Sequence, residues 1–115
     1  MLVGYKVVSQ LNDSEYGPIT YNAYREIRYC LNQITEQDKD KFGPISVFNS
    51  LLSAQIFAND MSHLPGLVIF KIKYEQSHED KLWKKESKIT KIKELSTCPP
   101  GTQLASVVIL ESRVD

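Results

Sequence analysis

The sequence has no net charge, because its 14 lysines and arginines are balanced by 14 aspartates and glutamates. Without a field of one sign, a protein has no long-range attraction for DNA, RNA or an anionic membrane surface. We therefore expect no extended nucleic-acid binding. The charge is uneven along the chain, since residues 71–95 contain eight lysines against five acidic residues. A modest basic surface is predicted there.

Cysteine is scarce. The two cysteines, Cys30 and Cys98, match neither a metal-ligand spacing nor a C-x-x-C redox pair. Two buried or half-buried free thiols in a reducing compartment are the expectation. The first residues lack the basic and apolar regions of a secretory signal. No run reaches the roughly 20 apolar residues of a membrane-spanning helix. The sequence therefore predicts a soluble, cytoplasmic protein with no membrane partner.

Catalytic motifs are also missing. The sequence contains no glycine-rich phosphate loop, no G-x-S-x-G nucleophile motif and no H-E-x-x-H zinc motif. We predict no metal site and no cofactor. A binding role is favoured over an enzymatic one, which stays open.

The length of 115 residues is typical of one domain, and we treat residues 1–115 as a single domain. Short runs of β-branched, aromatic and alternating apolar residues predict strands. These strands are expected at residues 2–9, 26–31, 45–48, 67–74 and 104–110, the last of them central in the sheet. Residues 33–41 and 75–87 are polar and are predicted to be loops. Residues 88–95 fit a helix and an edge strand equally well.

One helix is predicted over residues 51–61, with Asn49 or Ser50 as its N-cap. Its apolar face is expected to contain Leu52 with Ile56, and Phe57 with Met61, at spacings of four residues. The order of elements predicts an α+β fold, a mostly antiparallel sheet of about five strands with one main helix packed on one face.

In the strand over residues 67–74, Val68, Phe70, Ile72 and Tyr74 fall on one face, and the lysines between them fall on the other. This alternation predicts a sheet that has one face in the core.

Tyrosine and arginine are concentrated in one short segment, which contains Tyr21, Arg25, Arg28 and Tyr29. These side chains are frequent in binding sites, because they stack and form bidentate hydrogen bonds. We consider the four residues candidates for ligand or partner binding. The alternative is that two of the tyrosines at positions 16, 21, 24 and 29 fill the core with their hydroxyls at its rim.

Two further groups are binding candidates. Trp83 stands beside Lys84 and Lys85, and an exposed tryptophan among lysines can stack on a nucleotide ring while the ammonium groups meet phosphate. The alternative is that Trp83 anchors a charged loop on the core. Asn49 and Ser50 precede the predicted helix, whose free amides can hold an anion.

Three segments resemble, in the same order, a group of short uncharacterised proteins from bacteriophages and prophages. They are Y-K-V-V at residues 5–8, V-F-x-S-L-x-x-A-x-x-F at residues 47–57 and P-G-T-x-L-A at residues 100–105. The resemblance implies a phage or host-interface context, in the cytoplasm of a bacterial host cell, and implies no reaction.

These observations predict a non-catalytic binding protein of phage-like origin. Its partner is expected to be a small anionic, nucleotide-like ligand or a host protein, and a homo-oligomer stays open. Two alternatives remain: a small nucleotide-processing enzyme with a cleft lined by tyrosine and arginine, and a virion or structural component.

Overall fold

A computed structural model describes residues 1–19 and 27–114 of the chain. In these ranges the elements follow the order β1 (Leu2–Gln10), β2 (Tyr16–Gly17), β3 (Ile34–Glu36), β4 (Ile45–Phe48), α1 (Leu51–Asp60), β5 (Leu67–Gln76), β6 (Lys81–Glu86), β7 (Ile89–Glu94) and β8 (Thr102–Val114). The predicted α+β class, mostly antiparallel with one helix, is confirmed. The main sheet has six strands rather than about five, and β6 and β7 form a separate hairpin.

The main sheet closes on itself. β1 pairs with β5, β5 with β8, β8 with β4, and β4 with β1 through Tyr5 and Phe48, all antiparallel. Two register shifts interrupt the pairing of β5 with β8, and such irregularities bend strands. At the closing contact, a Cβ on Gly4 would lie 2.7 Å from the carbonyl oxygen of Phe48. Glycine therefore allows β1 and β4 to approach and close the ring.

The larger core cluster combines side chains of this sheet with Ile27, Tyr29, Phe42 and, from the hairpin, Leu82. On β5 the residues Val68, Phe70, Ile72 and Tyr74 are buried and the lysines between them are exposed, so the predicted alternation is confirmed. β8 is central as predicted, because it pairs with β3, β4 and β5.

The helix begins as the sequence predicts. The Ser50 hydroxyl accepts a hydrogen bond from the amide of Ser53 at 3.2 Å and caps the first turn. The helix ends at Asp60, and Met61 is its C-cap, so the predicted boundary was one residue too long.

The predicted buried face of the helix was wrong for Leu52 and Ile56 but right for Phe57. Leu52 and Ile56 are 65% and 54% exposed. Ala54, Phe57 and Ala58 instead belong to a second, smaller core cluster on the helix side of the sheet. These three residues also repeat at the helical period. The small alanine side chains let the helix pack closely on β1, β4 and β5.

Other polar segments also differ from the predictions. Residues 75–87 are not a loop: β5 continues to Gln76, and β6 follows within them. Residues 88–95 take the strand alternative as β7, which pairs with β6 along its whole length. Residues 33–41 include β3, which pairs with β8.

The strand predicted over residues 26–31 is reduced, in its described part, to one bridge between Tyr29 and Tyr16. Glu26 lies outside the described residues. Tyr29 is buried, and the ring of Tyr16 lies 4.8 Å from that of Phe70 in an edge-to-face contact. Tyr29 therefore fills the core and the half-buried Tyr16 packs against it, as the alternative predicted, but the Tyr29 hydroxyl is buried rather than at the rim.

Both cysteines are free and half-buried, in agreement with the prediction. Within the described ranges, no helix has the length and apolarity that crossing a membrane requires.

Candidate functional site

A cavity of about 200 Å³ lies between the sheet, the helix and the hairpin of β6 and β7. Four aromatic side chains contribute to its walls: Tyr29, Phe48, Phe57 and Trp83. Its charged lining groups are all lysines: Lys6, Lys84, Lys91 and Lys93. Among the described residues that line the cavity, none is acidic. The cavity therefore combines apolar walls with charge of one sign.

Lys6 is the most deeply placed of these charges, with 8% of its surface exposed. Side chains alternate along a strand, so Lys6 shares the face of β1 that carries the buried Val8. Its Nζ donates a hydrogen bond to the carbonyl oxygen of Ser46 at 2.5 Å and lies 5.9 Å from the centre of the Tyr29 ring. Both contacts fix the ammonium group at the cavity.

No carboxylate of the described residues lies within 4.0 Å of the Lys6 ammonium group. A buried cation without a counter-ion is costly, because it gives up hydration without a compensating ion pair. Burial accordingly lowers the pKa of Lys6 from 10.5 to about 8. Lys6 is thus a cation that a bound anion or hydrogen-bond acceptor would stabilise.

The other three lysines come from the hairpin and are less buried. Glu86 pairs with Lys91 at 2.9 Å and with Lys84 at 3.6 Å. The hydrogen bond from Lys91 is the main reason that the pKa of the Glu86 carboxyl is lowered. Lys93 is half-buried and forms no ion pair with a described residue. Lys6 and Lys93 are therefore the lining lysines whose charge is least neutralised within the described chain.

Trp83 forms one wall of the cavity and also holds the hairpin in place. A Cβ on Gly43 would lie 2.5 Å from its indole ring, so the glycine makes room for it. The indole N–H donates to a carboxylate oxygen of Glu79 at 2.8 Å. The anchoring alternative predicted for Trp83 agrees with these contacts. Stacking of a ligand on Trp83 stays a prediction.

The structure brings only some of the predicted site residues together. Tyr29, Trp83 and Lys84 line the cavity. Lys85, the next residue on β6, is exposed and is not part of the lining. Arg28 is also exposed, and its Nη1 donates to the carbonyl oxygen of Ile27 at 2.9 Å.

Asn49 and Ser50 lie at the start of the helix. Ser50 caps the helix, and the amide of Asn49 donates to the carbonyl oxygen of Gly101 at 3.0 Å. Neither residue lines the cavity. Tyr21 and Arg25 lie outside the described residues.

Sequence reasoning missed Lys6, Lys91 and Lys93. One signal could have indicated Lys6, since it is the single charged residue in a strand that contains three valines and a tyrosine. Its spacing from Val8 places it on the same face as a core residue. No pattern in the sequence brings Lys93 to the same cavity, because that contact depends on how the hairpin folds back.

The described residues contain no group of three His, Cys, Asp or Glu side chains that could hold a metal ion. Comparison of the chain with protein-family models, curated proteins and solved structures found no match. The resemblance to phage proteins therefore stays a prediction.

Proposed function

We propose that this protein is a non-catalytic binding protein that captures a small, nucleotide-like anion, one with a flat apolar ring and an anionic group. The observation that supports this most directly is the lining of the cavity. It contains four lysines, and the described residues contribute no acidic group to it. An apolar site with a few convergent polar groups is the usual form of a small-molecule site.

The size of the cavity favours a ring as the part that enters. Its volume of about 200 Å³ is below the roughly 300 Å³ at which pockets for drug-sized ligands begin. A planar ring can lie against the side chains of Phe48, Phe57 and Trp83. Aromatic side chains stack on flat rings whatever polar groups those rings carry.

The lysines suit the polar ends of such a ligand. Lys93 is half-buried and can meet a phosphate or carboxylate, because no described acidic residue already pairs with it. Lys6 can donate hydrogen bonds to the part of the ligand that enters most deeply. Binding would thereby compensate for the burial of the Lys6 ammonium group.

The test is thermal unfolding with nucleoside monophosphates, cyclic nucleotides and pyridoxine 5′-phosphate, each a ring with a phosphate. A ligand at 100 times its Kd adds about 2.7 kcal/mol to the free energy of unfolding of the protein. The melting temperature of the protein should therefore rise measurably. We expect Lys6→Met to abolish the rise. The control is Lys85→Met. Lys85 is an exposed lysine of the β6–β7 hairpin that does not line the cavity, so this variant should retain the rise.

Equal responses of Lys6→Met and the unchanged protein would contradict the use of this cavity. Absence of any response across the panel would contradict the ligand class. A phage-like origin and docking on a host protein stay predictions, since no contact between described residues bears on them.

A further inference from the structure

We propose that the capture is covalent and reversible, with the Lys6 amine forming an imine with the aldehyde group of an anionic aromatic ligand. This inference rests on the proposed function, because the ligand must first enter the lysine-lined cavity. The group of the ligand that meets Lys6 is then an aldehyde, whereas the binding proposal requires only a hydrogen-bond acceptor there.

The position of the Lys6 amine suits this chemistry. Lys6 belongs to the cavity lining, and its Nζ is held by its hydrogen bond to the Ser46 carbonyl. The neutral amine has two N–H groups and one lone pair, so donating one N–H to the carbonyl leaves the lone pair free to meet a ligand. A nucleophile held in one place reacts faster than a mobile one, because its approach geometry is already set.

The surroundings of Lys6 also favour the neutral amine, which is the nucleophilic form. The other charged groups that line the cavity are Lys84, Lys91 and Lys93, all of the same sign, and the other titratable groups are Tyr29 and the Cys98 thiol. Apolar walls and burial lower the pKa of Lys6 to about 8. At pH 7 the neutral fraction is therefore roughly several hundred times that of an exposed lysine.

The proposed reaction needs no oxidant or reductant. The lone pair of the neutral amine forms a bond between Nζ and the carbonyl carbon, giving a carbinolamine. The C–O bond then breaks and the oxygen leaves as water, which takes both hydrogens of the original amine. The C=N bond of the imine remains. Addition of water reverses each step and releases the aldehyde.

Cys98 is a second nucleophile in the same cavity. Burial raises the pKa of its thiol, an effect that nearby Lys93 partly offsets. A protonated thiol is the less reactive form. An adduct of a thiol with an aldehyde contains no C=N bond and is not trapped by borohydride. Reduction therefore distinguishes the two side chains.

The experiment compares pyridoxal 5′-phosphate with pyridoxine 5′-phosphate, which has an alcohol in place of the aldehyde. The 115-residue protein is incubated with a stoichiometric amount of each compound, reduced with borohydride and analysed by mass spectrometry and peptide mapping. With the aldehyde we expect imine absorbance before reduction and one adduct per chain, at Lys6. Lys6→Arg should keep binding of pyridoxine phosphate and lose the adduct, whereas Lys85→Arg should keep both.

The outcomes separate the two proposals. If pyridoxine phosphate raises the melting temperature and no adduct forms at Lys6, covalent capture is overturned and the binding proposal stands. Adducts spread over exposed lysines would also overturn it. If neither compound acts, covalent capture is overturned, and the binding proposal fails only if the nucleotides of the panel are also without effect. Should Lys6→Arg not fold, the mapped position of the adduct in the unchanged protein decides the question alone.

Discussion

In the closed sheet, β1, β5 and β8 each have a hydrogen-bonded neighbour on both sides, whereas β7 in the hairpin pairs only with β6 within the described chain. The side chains differ in the same way. The buried residues of β5 are no more than 4% exposed, but five of the six residues of β7 are exposed. The sheet is stabilised by its core, and the hairpin by its own backbone and a few anchors.

Those anchors can be named. Leu82 is the buried side chain of β6, and the indole of Trp83 packs on Gly43. The amide of Gly43 donates to the carbonyl oxygen of Trp83 at 2.8 Å, and that of Lys85 donates to the carbonyl oxygen of Lys41 at 2.9 Å. Regions with few buried apolar contacts open at a lower free energy than the core. The hairpin wall of the cavity is therefore expected to open at a lower free energy than the wall that belongs to the core.

The largest expected effect comes from the core side of this comparison. Phe70→Ala removes a side chain that is 2% exposed and contacts Tyr16, and it should lower the free energy of unfolding by about 3–5 kcal/mol. Ile89→Ala, at a 67% exposed position of the hairpin, should change it by less than about 0.5 kcal/mol. Urea unfolding followed by far-UV circular dichroism measures both. Similar losses would contradict the distinction between sheet and hairpin.

A smaller change in the free energy of unfolding, of opposite sign, is expected for a substitution of Lys6. Lys6→Met keeps a long side chain and removes the buried charge, so it should stabilise the protein at pH 7. The lowering of the Lys6 pKa from 10.5 to about 8 corresponds to about 3 kcal/mol, at 1.36 kcal/mol for each pH unit. Thermal or urea unfolding of the two proteins measures the gain. A loss of stability would contradict the view that Lys6 is retained at a cost.

The same substitution should change the pH dependence of stability. Because the folded protein releases the Lys6 proton near pH 8 and the unfolded chain releases it near pH 10.5, the unfolded state binds more protons between these values. The contribution of Lys6 to stability therefore rises with pH across this window. The raised pKa values of Cys98 and Tyr74 act in the opposite direction. The difference between the unchanged protein and Lys6→Met should hence shrink from pH 8 to 10.5. A constant difference would contradict the lowered pKa.

How far the sequence predicts this fold depends on how much each segment is buried. β5 could be predicted because the buried Phe70, Ile72 and Tyr74 alternate with lysines that face water. The start of the helix followed from the cap at Ser50, but its buried face did not. Two apolar patterns overlap on the helix, and the one with small alanine side chains packs on the sheet.

The hairpin could not be predicted in the same way. Its two strands bury one side chain, Leu82, so the sequence has no alternation that would mark them. The residues of the cavity are hard to predict for the same reason. Tyr29, Trp83 and Lys84 stood out by residue type, whereas Lys6 and Lys93 join them only through tertiary contacts. Most lysines of a protein face solvent, so the sequence alone does not indicate which of them line a cavity.

The smallest expected effect tests whether the hairpin sets the charge of the cavity without stabilising the sheet. Glu86→Gln removes the partner of Lys84 and Lys91. Exposed ion pairs contribute little to stability, so the unfolding of the sheet should not change, but the affinity for pyridoxine 5′-phosphate should rise a few-fold at low salt. Glu94→Gln makes the same charge change in β7, where no ion pair with a cavity lysine is lost, and should leave the affinity unchanged. The gain should disappear near 1 M salt, where the Debye length is about 3 Å. Equal gains in both variants would show that net charge, rather than release of the two lysines, controls binding.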